Sequence, residues 1–347
     1  MGQCKLLNKS YQEISDIHDV PNLDFNRNST YKKLEQISNQ ITTERGISNI
    51  YNVLISRIVA VGQLHLIETL RLINDQEQKN KFIEHLNCID YETVDSLYHF
   101  FQNKDEILDE ISYAQNIEKI ENIKKEQYIQ YFQQGLQMIK NKEVALVILA
   151  GGNNIRFDQK VQKSTCNIGL PSKLSVFEII GKKLQVLQNL VYQNISTSIT
   201  KCSFQIMIMI NTENYFEIKK VWKNNDFFGF DEKDVLFMTQ SMLPIIDIQG
   251  KIIMRTSMQC YEQPEGPGDI IKTIFSNKVI EKLLIKNYKY LHIIGVENLL
   301  VKPLDPLFLG YANENKNDIN SKCVKLQDLT NEFFKLININ GRLYIEL

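Results

Sequence analysis

At 347 residues, 43% of them apolar, the chain is long enough for one large α/β domain and a smaller helical one. A formal charge of −1 leaves no overall electrostatic footprint for nucleic acid or acidic membrane surfaces. Six scattered cysteines without a C-x-x-C pair argue against a disulfide framework or zinc site and for a reducing compartment, the cytoplasm. No apolar run reaches about 18 residues, so no transmembrane helix is expected, and the N-terminus lacks an apolar signal region. Met1-Gly2-Gln3-Cys4 matches a lipidation signal only in part, because Leu6 stands where Ser or Thr is needed. The composition leaves the oligomeric state open.

Residues 1–45 are polar and aperiodic and read as a loose arm. Residues 46–141 carry a helical pattern. Asp75 with Gln78 fits a capping box ahead of Phe82, Ile83 and Leu86. Asp90 caps a second helix with Val94, Leu97, Tyr98 and Phe101 at i, i+3, i+4 and i+7. The charged stretch Ile117–Gln127 reads as a solvated helix or linker, and Phe132, Leu136 and Ile139 as one more short apolar stripe.

From residue 142 the pattern changes. Val144–Ala150 is a continuous apolar run of strand length, the mark of a parallel strand buried on both faces. Similar runs at Ile206–Ile210, Val235–Met238 and Tyr290–Ile294 are separated by helical segments such as Val176–Leu190 and Tyr215–Lys223. The alternation predicts a mostly parallel, doubly wound sheet over 142–347. Asn340-Gly341 between Phe333–Ile339 and Arg342–Glu346 predicts a hairpin. Asn-rich loops are discounted as functional signals, since the whole chain is crowded with Asn, Lys, Ile and Gln.

The first candidate site follows the first strand of that sheet. In Leu149-Ala150-Gly151-Gly152 the glycines let backbone approach a ligand and turn N–H groups toward phosphate oxygens. In open α/β sheets, ligands lie beyond the carboxyl ends of the strands, where this loop falls. Arg156 and Lys163, further along it, could neutralise a polyphosphate.

Ordered agreement from Gly62 onward resembles the eukaryotic UDP-N-acetylhexosamine pyrophosphorylases. Leu149–Arg156 is similar to their L-A-G-G-x-G-T-R loop, and Gly169-Leu170-Pro171-Ser172 matches G-L-P-S. Phe237-Met-Thr-Gln240-Ser-Met-Leu-Pro244 looks like F-x-x-Q-x-x-L-P, and Pro264-Glu-Gly266-Pro-Gly268-Asp269 matches P-D-G-N-G-G in part. Gly295-Val-Glu297-Asn298 through Lys302, then Asp305-Pro306 and Gly310, are similar to V-D-N-x-L-x-K and D-P-x-F-x-G. In the helical region, Gly62-Gln63-Leu-His65-Leu66 and Ile89-Asp90-Tyr-Glu92 occur in the expected order.

The resemblance implies a Rossmann-like nucleotide-diphospho-sugar transferase core with a mixed sheet, preceded by a helical region. It implies a UTP:N-acetylglucosamine-1-phosphate uridylyltransferase that forms UDP-N-acetylglucosamine and pyrophosphate with Mg²⁺. Leu149, Ala150, Gly151 and Gly152 would hold the nucleotide through their backbone. Gln240 and Gly266 would read the uracil edge, while Arg156 and Lys163 would face the triphosphate as catalytic cations. Glu297 would serve the metal and nucleotide, with Asn298 beside it toward substrate.

Several positions depart from the pattern: Asn154, Ile155 and Asp158 in the first loop, Gln162 before Lys163, Pro267, Asp269, and Glu297 for Asp. The family continues past the point matched by the final hairpin, so a piece of a longer protein, an unprotected sheet edge and weakened activity are expected here. Two other readings stay open: a catalytically weakened nucleotide-binding or regulatory paralogue, or a uridylyltransferase for another sugar 1-phosphate.

Overall fold

The computed structural model describes residues 2–5, 49–102, 111–113, 117–152, 165–194, 203–276, 278–324, 335–339 and 342–346. Most of the polar segment 1–45 lies outside them. The chain divides into two compact units, and the division is not linear in sequence.

One unit joins the described part of Lys9–Ile107 to Met242–Gln263. It contains helices α1 (Asn49–Ala60), α2 (Leu64–Leu72), α3 (Gln76–Asn87) and α4 (Tyr91–Gln102). The caps expected from sequence form. Asp75 accepts from the Gln78 N–H at 2.7 Å, and Asp90 accepts from the Thr93 N–H at 3.1 Å. Each satisfies one of the orphan donors at a helix start. Leu54, Ile58, Leu66, Leu70, Phe82 and Leu86 close a core that also takes in Ile252 and Cys260 from the second segment. In α4 only the first turns are packed: Tyr91 and Val94 are buried, whereas Leu97, Phe100 and Phe101 are exposed.

The other unit holds the described part of Met1–Asn8, Leu108–Ser241 and Pro264–Leu347. Its six-stranded sheet uses β1 (Gly2–Lys5), β2 (Val144–Leu149), β3 (Ile206–Ile210), β4 (Val235–Thr239), β5 (Tyr290–Gly295) and β6 (Ile319–Ser321). The spatial order is β6-β1-β5-β2-β3-β4. β5, β2, β3 and β4 run parallel, and β1 pairs antiparallel with both β5 and β6. The sheet is therefore mixed, as the resemblance implied. Helices α5 (Lys125–Lys140), α6 (Val176–Asn194), α7 (Tyr215–Asn224), α8 (Asp269–Ser276), α9 (Val279–Ile285) and α10 (Pro306–Asn315) belong to the same unit.

Alternate residues of β2 point to opposite faces, and both faces are covered. Leu146 and Ile148 pack with Phe177, Ile180 and Leu184 of α6 and with Trp222 of α7. Ala145 and Val147 pack with Ile270 and Ile274 of α8 and Leu283 of α9. Double coverage is why these strands read as unbroken apolar runs. α5 lies against α10 through a pair of glycines: a Cβ on Gly135 would run into the Pro306 carbonyl, and one on Gly310 into that of Tyr131. The predicted hairpin forms with Ile339 opposite Arg342 and Lys335 opposite Glu346, and Ile111–Tyr113 adds a third strand. Among the described residues no helix is long and apolar enough to cross a membrane.

Candidate functional site at the carboxyl edge of the sheet

The four parallel strands end at one edge of the sheet, in the order β5, β2, β3, β4. Beyond them come Val296-Glu297-Asn298, Ala150-Gly151-Gly152, Asn211–Asn214 and Gln240-Ser241 respectively. Ladder bonds carry past the strand ends: Val296 N–H to Leu149 at 3.0 Å, Ala150 N–H to Met209 at 2.7 Å, and Gln240 N–H to Ile210 at 2.8 Å. Leu149, Ala150, Gly151, Gly152, Gln240, Glu297 and Asn298 are thus brought to one strand edge by the parallel topology. Arg156 and Lys163, with the altered Asn154, Ile155, Asp158 and Gln162, lie outside the described residues.

Gln240 is 3% exposed, and among the described residues neither its carboxamide oxygen nor its nitrogen has a hydrogen-bond partner. Leaving such a group unpaired in the interior costs roughly 1–3 kcal/mol. Its Oε1 lies where a Cβ on Gly151 would have to sit, so the glycine is required there by close approach.

Gly266 joins Gln240 through Ser241. The Ser241 carbonyl accepts from the Glu265 N–H at 3.0 Å, and the Ser241 N–H donates to Asp269 Oδ2 at 2.6 Å. Asp269, at the first position of α8, also accepts from the Thr273 hydroxyl at 3.1 Å, while its Oδ1 is buried without a partner among the described residues. Gly266 has φ +105°, a conformation that favours glycine, and no atom lies within 4 Å of where its Cβ would be. In the sequence Asp269 stands out only as a departure from the pattern. Here it anchors the turn that carries Gln240.

Two further contributors were missed. Asn211 and Asn214 are 3% and 6% exposed. Asn211 Nδ2 donates to the Gly151 carbonyl at 3.0 Å, and Asn214 Nδ2 to that of Ala150 at 2.8 Å. Their position directly after a buried strand, opposite the glycine loop, was the available signal, and the Asn-rich composition hid it.

On the β5 side, Lys183 of α6 donates to the carbonyls of Leu299 and Val301, the second at 2.9 Å. Burial lowers its pKa, and the two carbonyls occupy two of its three donors. The turn that exposes Glu297 and Asn298 is therefore tied to the helix behind it. That helix opens with a capping box: the Ser175 N–H donates to Glu178 Oε2 at 2.7 Å and Glu178 N–H to Ser175 Oγ at 3.4 Å. The bonds from Ser175 hold the Glu178 carboxyl below the usual carboxylate range.

Among the described residues no group of three or more His, Cys, Asp or Glu side chains could hold a metal ion. Glu297 is exposed at the strand edge. Mg²⁺ is commonly held by one or two carboxylates together with phosphate oxygens and water. A carboxylate at this edge is of the kind that takes a cation entering with a polyphosphate.

Several known proteins are similar to this chain. A protein of Saccharomyces cerevisiae named UDP-N-acetylglucosamine pyrophosphorylase is 30% identical over 210 residues, 60% of this chain and 42% of its own length. An Arabidopsis thaliana protein named UDP-N-acetylglucosamine diphosphorylase 2 is 32% identical over 211 residues, again 60% of this chain and 42% of its own. The crystal structure of the uridine diphosphate N-acetylglucosamine pyrophosphorylase from Trypanosoma brucei has the same fold. It superposes with a TM-score of 0.70 at 20% identity, covering 87% of this chain and 62% of that one. The chain spans about half the length of the curated relatives it matches. The profile of the UTP--glucose-1-phosphate uridylyltransferase family matches residues 97–345, a stretch that contains all four strand ends and the Gly266 turn. The chain belongs to that family.

Proposed function

We propose that the chain acts as a UTP:N-acetylglucosamine-1-phosphate uridylyltransferase in the cytoplasm, releasing UDP-N-acetylglucosamine and pyrophosphate. The observation that carries this reading is the buried carboxamide of Gln240 against Gly151, without a hydrogen-bond partner among the described residues. A carboxamide offers one acceptor and one donor side by side, the complement of the uracil N3–H and O4 edge. Gly266, next to the residue that bonds Ser241, has nothing within 4 Å of where its Cβ would stand. The relatives named as UDP-N-acetylglucosamine pyrophosphorylases support the same substrate class.

In the reaction an oxygen of the sugar 1-phosphate attacks the α-phosphorus of UTP. One P–O bond forms, the bond from the α-phosphorus to the bridging oxygen breaks, and pyrophosphate leaves with the electron pair. The attacking phosphate is already ionised at neutral pH, so no general base is required. Catalysis rests on alignment and on screening charge between two anions. The backbone of Leu149–Gly152 would hold the nucleotide, Arg156 and Lys163 would face the triphosphate, and Asn298 would stand toward the sugar phosphate. Glu297 would hold Mg²⁺, which when bound supplies positive charge to the phosphate oxygens.

Thermal shift and pyrophosphate release test the reading. UTP and UDP-N-acetylglucosamine should raise the melting temperature more than ATP or GTP, a ligand at about 100 times its Kd adding roughly 2.7 kcal/mol. Equal shifts for all four would exclude a uridine site. The family description names glucose 1-phosphate whereas the relatives name N-acetylglucosamine. A panel of both sugar phosphates with pyrophosphate as readout decides the substrate, and N-acetylglucosamine 1-phosphate is expected to be preferred.

A further inference from the structure

The glycine loop is held by two side chains that the reaction itself does not use. The Asn211 N–H donates to Asn214 Oδ1 at 2.9 Å, and the Asn214 N–H donates to Asn211 Oδ1 at 2.8 Å. With each Oδ1 occupied by the other residue's backbone, each carboxamide nitrogen must point outward. Those nitrogens meet the two consecutive carbonyls Gly151 and Ala150, at 3.0 and 2.8 Å. Both side chains are buried.

In a trans peptide the N–H points opposite to the carbonyl of the preceding residue. Holding the Ala150 and Gly151 carbonyls against the asparagine pair therefore turns the N–H groups of Gly151 and Gly152 away from it. In an extended strand, successive carbonyls point to opposite sides. Here both face the same side, so two backbone donors are presented together on the other. Gly152 is exposed, with nothing within 4 Å of where its Cβ would stand.

We infer that Asn211 and Asn214 are positioning residues, a reciprocal clamp that presents the Gly151 and Gly152 N–H groups to oxygen atoms of the bound nucleotide. The ligand half of this inference rests on the uridylyltransferase reading above. The clamp supplies donors at no cost in induced rearrangement, because the peptide planes are set before the ligand arrives.

Asn211→Asp and Asn214→Asp are nearly isosteric. Each keeps the oxygen that accepts a backbone N–H and replaces the donor facing the loop with an acceptor. Each variant should weaken UTP about tenfold, the equivalent of one hydrogen-bonded restraint lost. Calorimetric titration is done well below each variant's melting temperature, with near-ultraviolet circular dichroism confirming the fold. A purely structural role would lower the melting temperature and leave Kd within twofold of the parent, and that result overturns the positioning role. Selective ¹⁵N-asparagine labelling supplies a ligand-free test. The Asn211 and Asn214 side-chain NH₂ groups, assigned through the two variants, should exchange with solvent more slowly than exposed asparagines. Exchange at the exposed rate would overturn the clamp itself. A parent protein that binds no UTP would instead sink the uridine reading, and the ligand half of this inference with it.

Discussion

Two glutamines are buried to the same degree and do opposite things. Gln63, 4% exposed between α1 and α2, uses both ends of its carboxamide. Its Nε2 donates to the Gly250 carbonyl at 2.6 Å, and its Oε1 accepts from the Ile252 N–H at 3.0 Å. It ties the helices to the returning segment Met242–Gln263, helped by His65, whose Nε2 donates to the Ile252 carbonyl at 2.8 Å. Gln240, 3% exposed, bonds with its side chain to none of the described residues. Burial alone cannot tell a structural amide from a ligand-reading one. Satisfaction can, because the cost of an unpaired interior amide is tolerated where a ligand later removes it.

The sharpest way to break this contrast is to remove the first amide. Gln63→Leu keeps similar volume and strips partners from two buried backbone groups, each worth roughly 2 kcal/mol. Urea unfolding should show a loss of about 4 kcal/mol by the same accounting, with the UTP affinity of the folded protein unchanged. A loss below about 1 kcal/mol would mean that water replaces Gln63.

A satisfied buried group of another type should announce itself through pH. His292 accepts from the Leu304 N–H at Nδ1, 2.9 Å away, and so must be neutral at that nitrogen. It supports Leu304 at φ 49°, a backbone state unusual for a branched residue. Burial pushes the His292 pKa down to about 4 from 6.5, against the pull of Asp305. Between those values the unfolded chain binds the proton and the folded chain does not. Stability from this group is therefore full above pH 6.5 and falls as pH drops toward 4, by an upper bound of roughly 3 kcal/mol. His292→Gln should flatten that part of the pH–stability curve in denaturant titrations. An unchanged slope would remove His292 as its source.

The smallest expected effect on stability is at Gln240. Gln240→Leu removes a buried amide that has no partner among the described residues, so apo stability should rise, by no more than roughly 1–3 kcal/mol. The thermal shifts from UTP and ATP should then converge. A destabilisation matching that of Gln63→Leu would make Gln240 a structural amide after all.

Much of the architecture was legible because it is local. The caps at Asp75 and Asp90 need only a side chain three residues from an N–H. The unbroken apolar run Val144–Leu149 reports burial on both faces, and Asn340-Gly341 predicts the pairing of Ile339 with Arg342. The resemblance placed Leu149–Gly152, Gln240, Glu297 and Asn298 in a common site, and parallel strand order does bring them to one edge. The exposed far end of α4 shows the limit of periodicity: Phe101 keeps the helical spacing but not the burial.

By itself, then, the sequence determined the elements, their caps and the family. Those follow from spacing along the chain, which periodicity and motif order record directly. Only the tertiary structure decided which polar residues are paired. Gln63 meets Gly250 and Ile252 across nearly two hundred residues of chain, Asn211 and Asn214 meet a loop 60 and 64 residues before them, and Asp269 meets Ser241. Whether a buried amide is satisfied depends on groups that become neighbours when the sheet closes, and no local pattern encodes that distance.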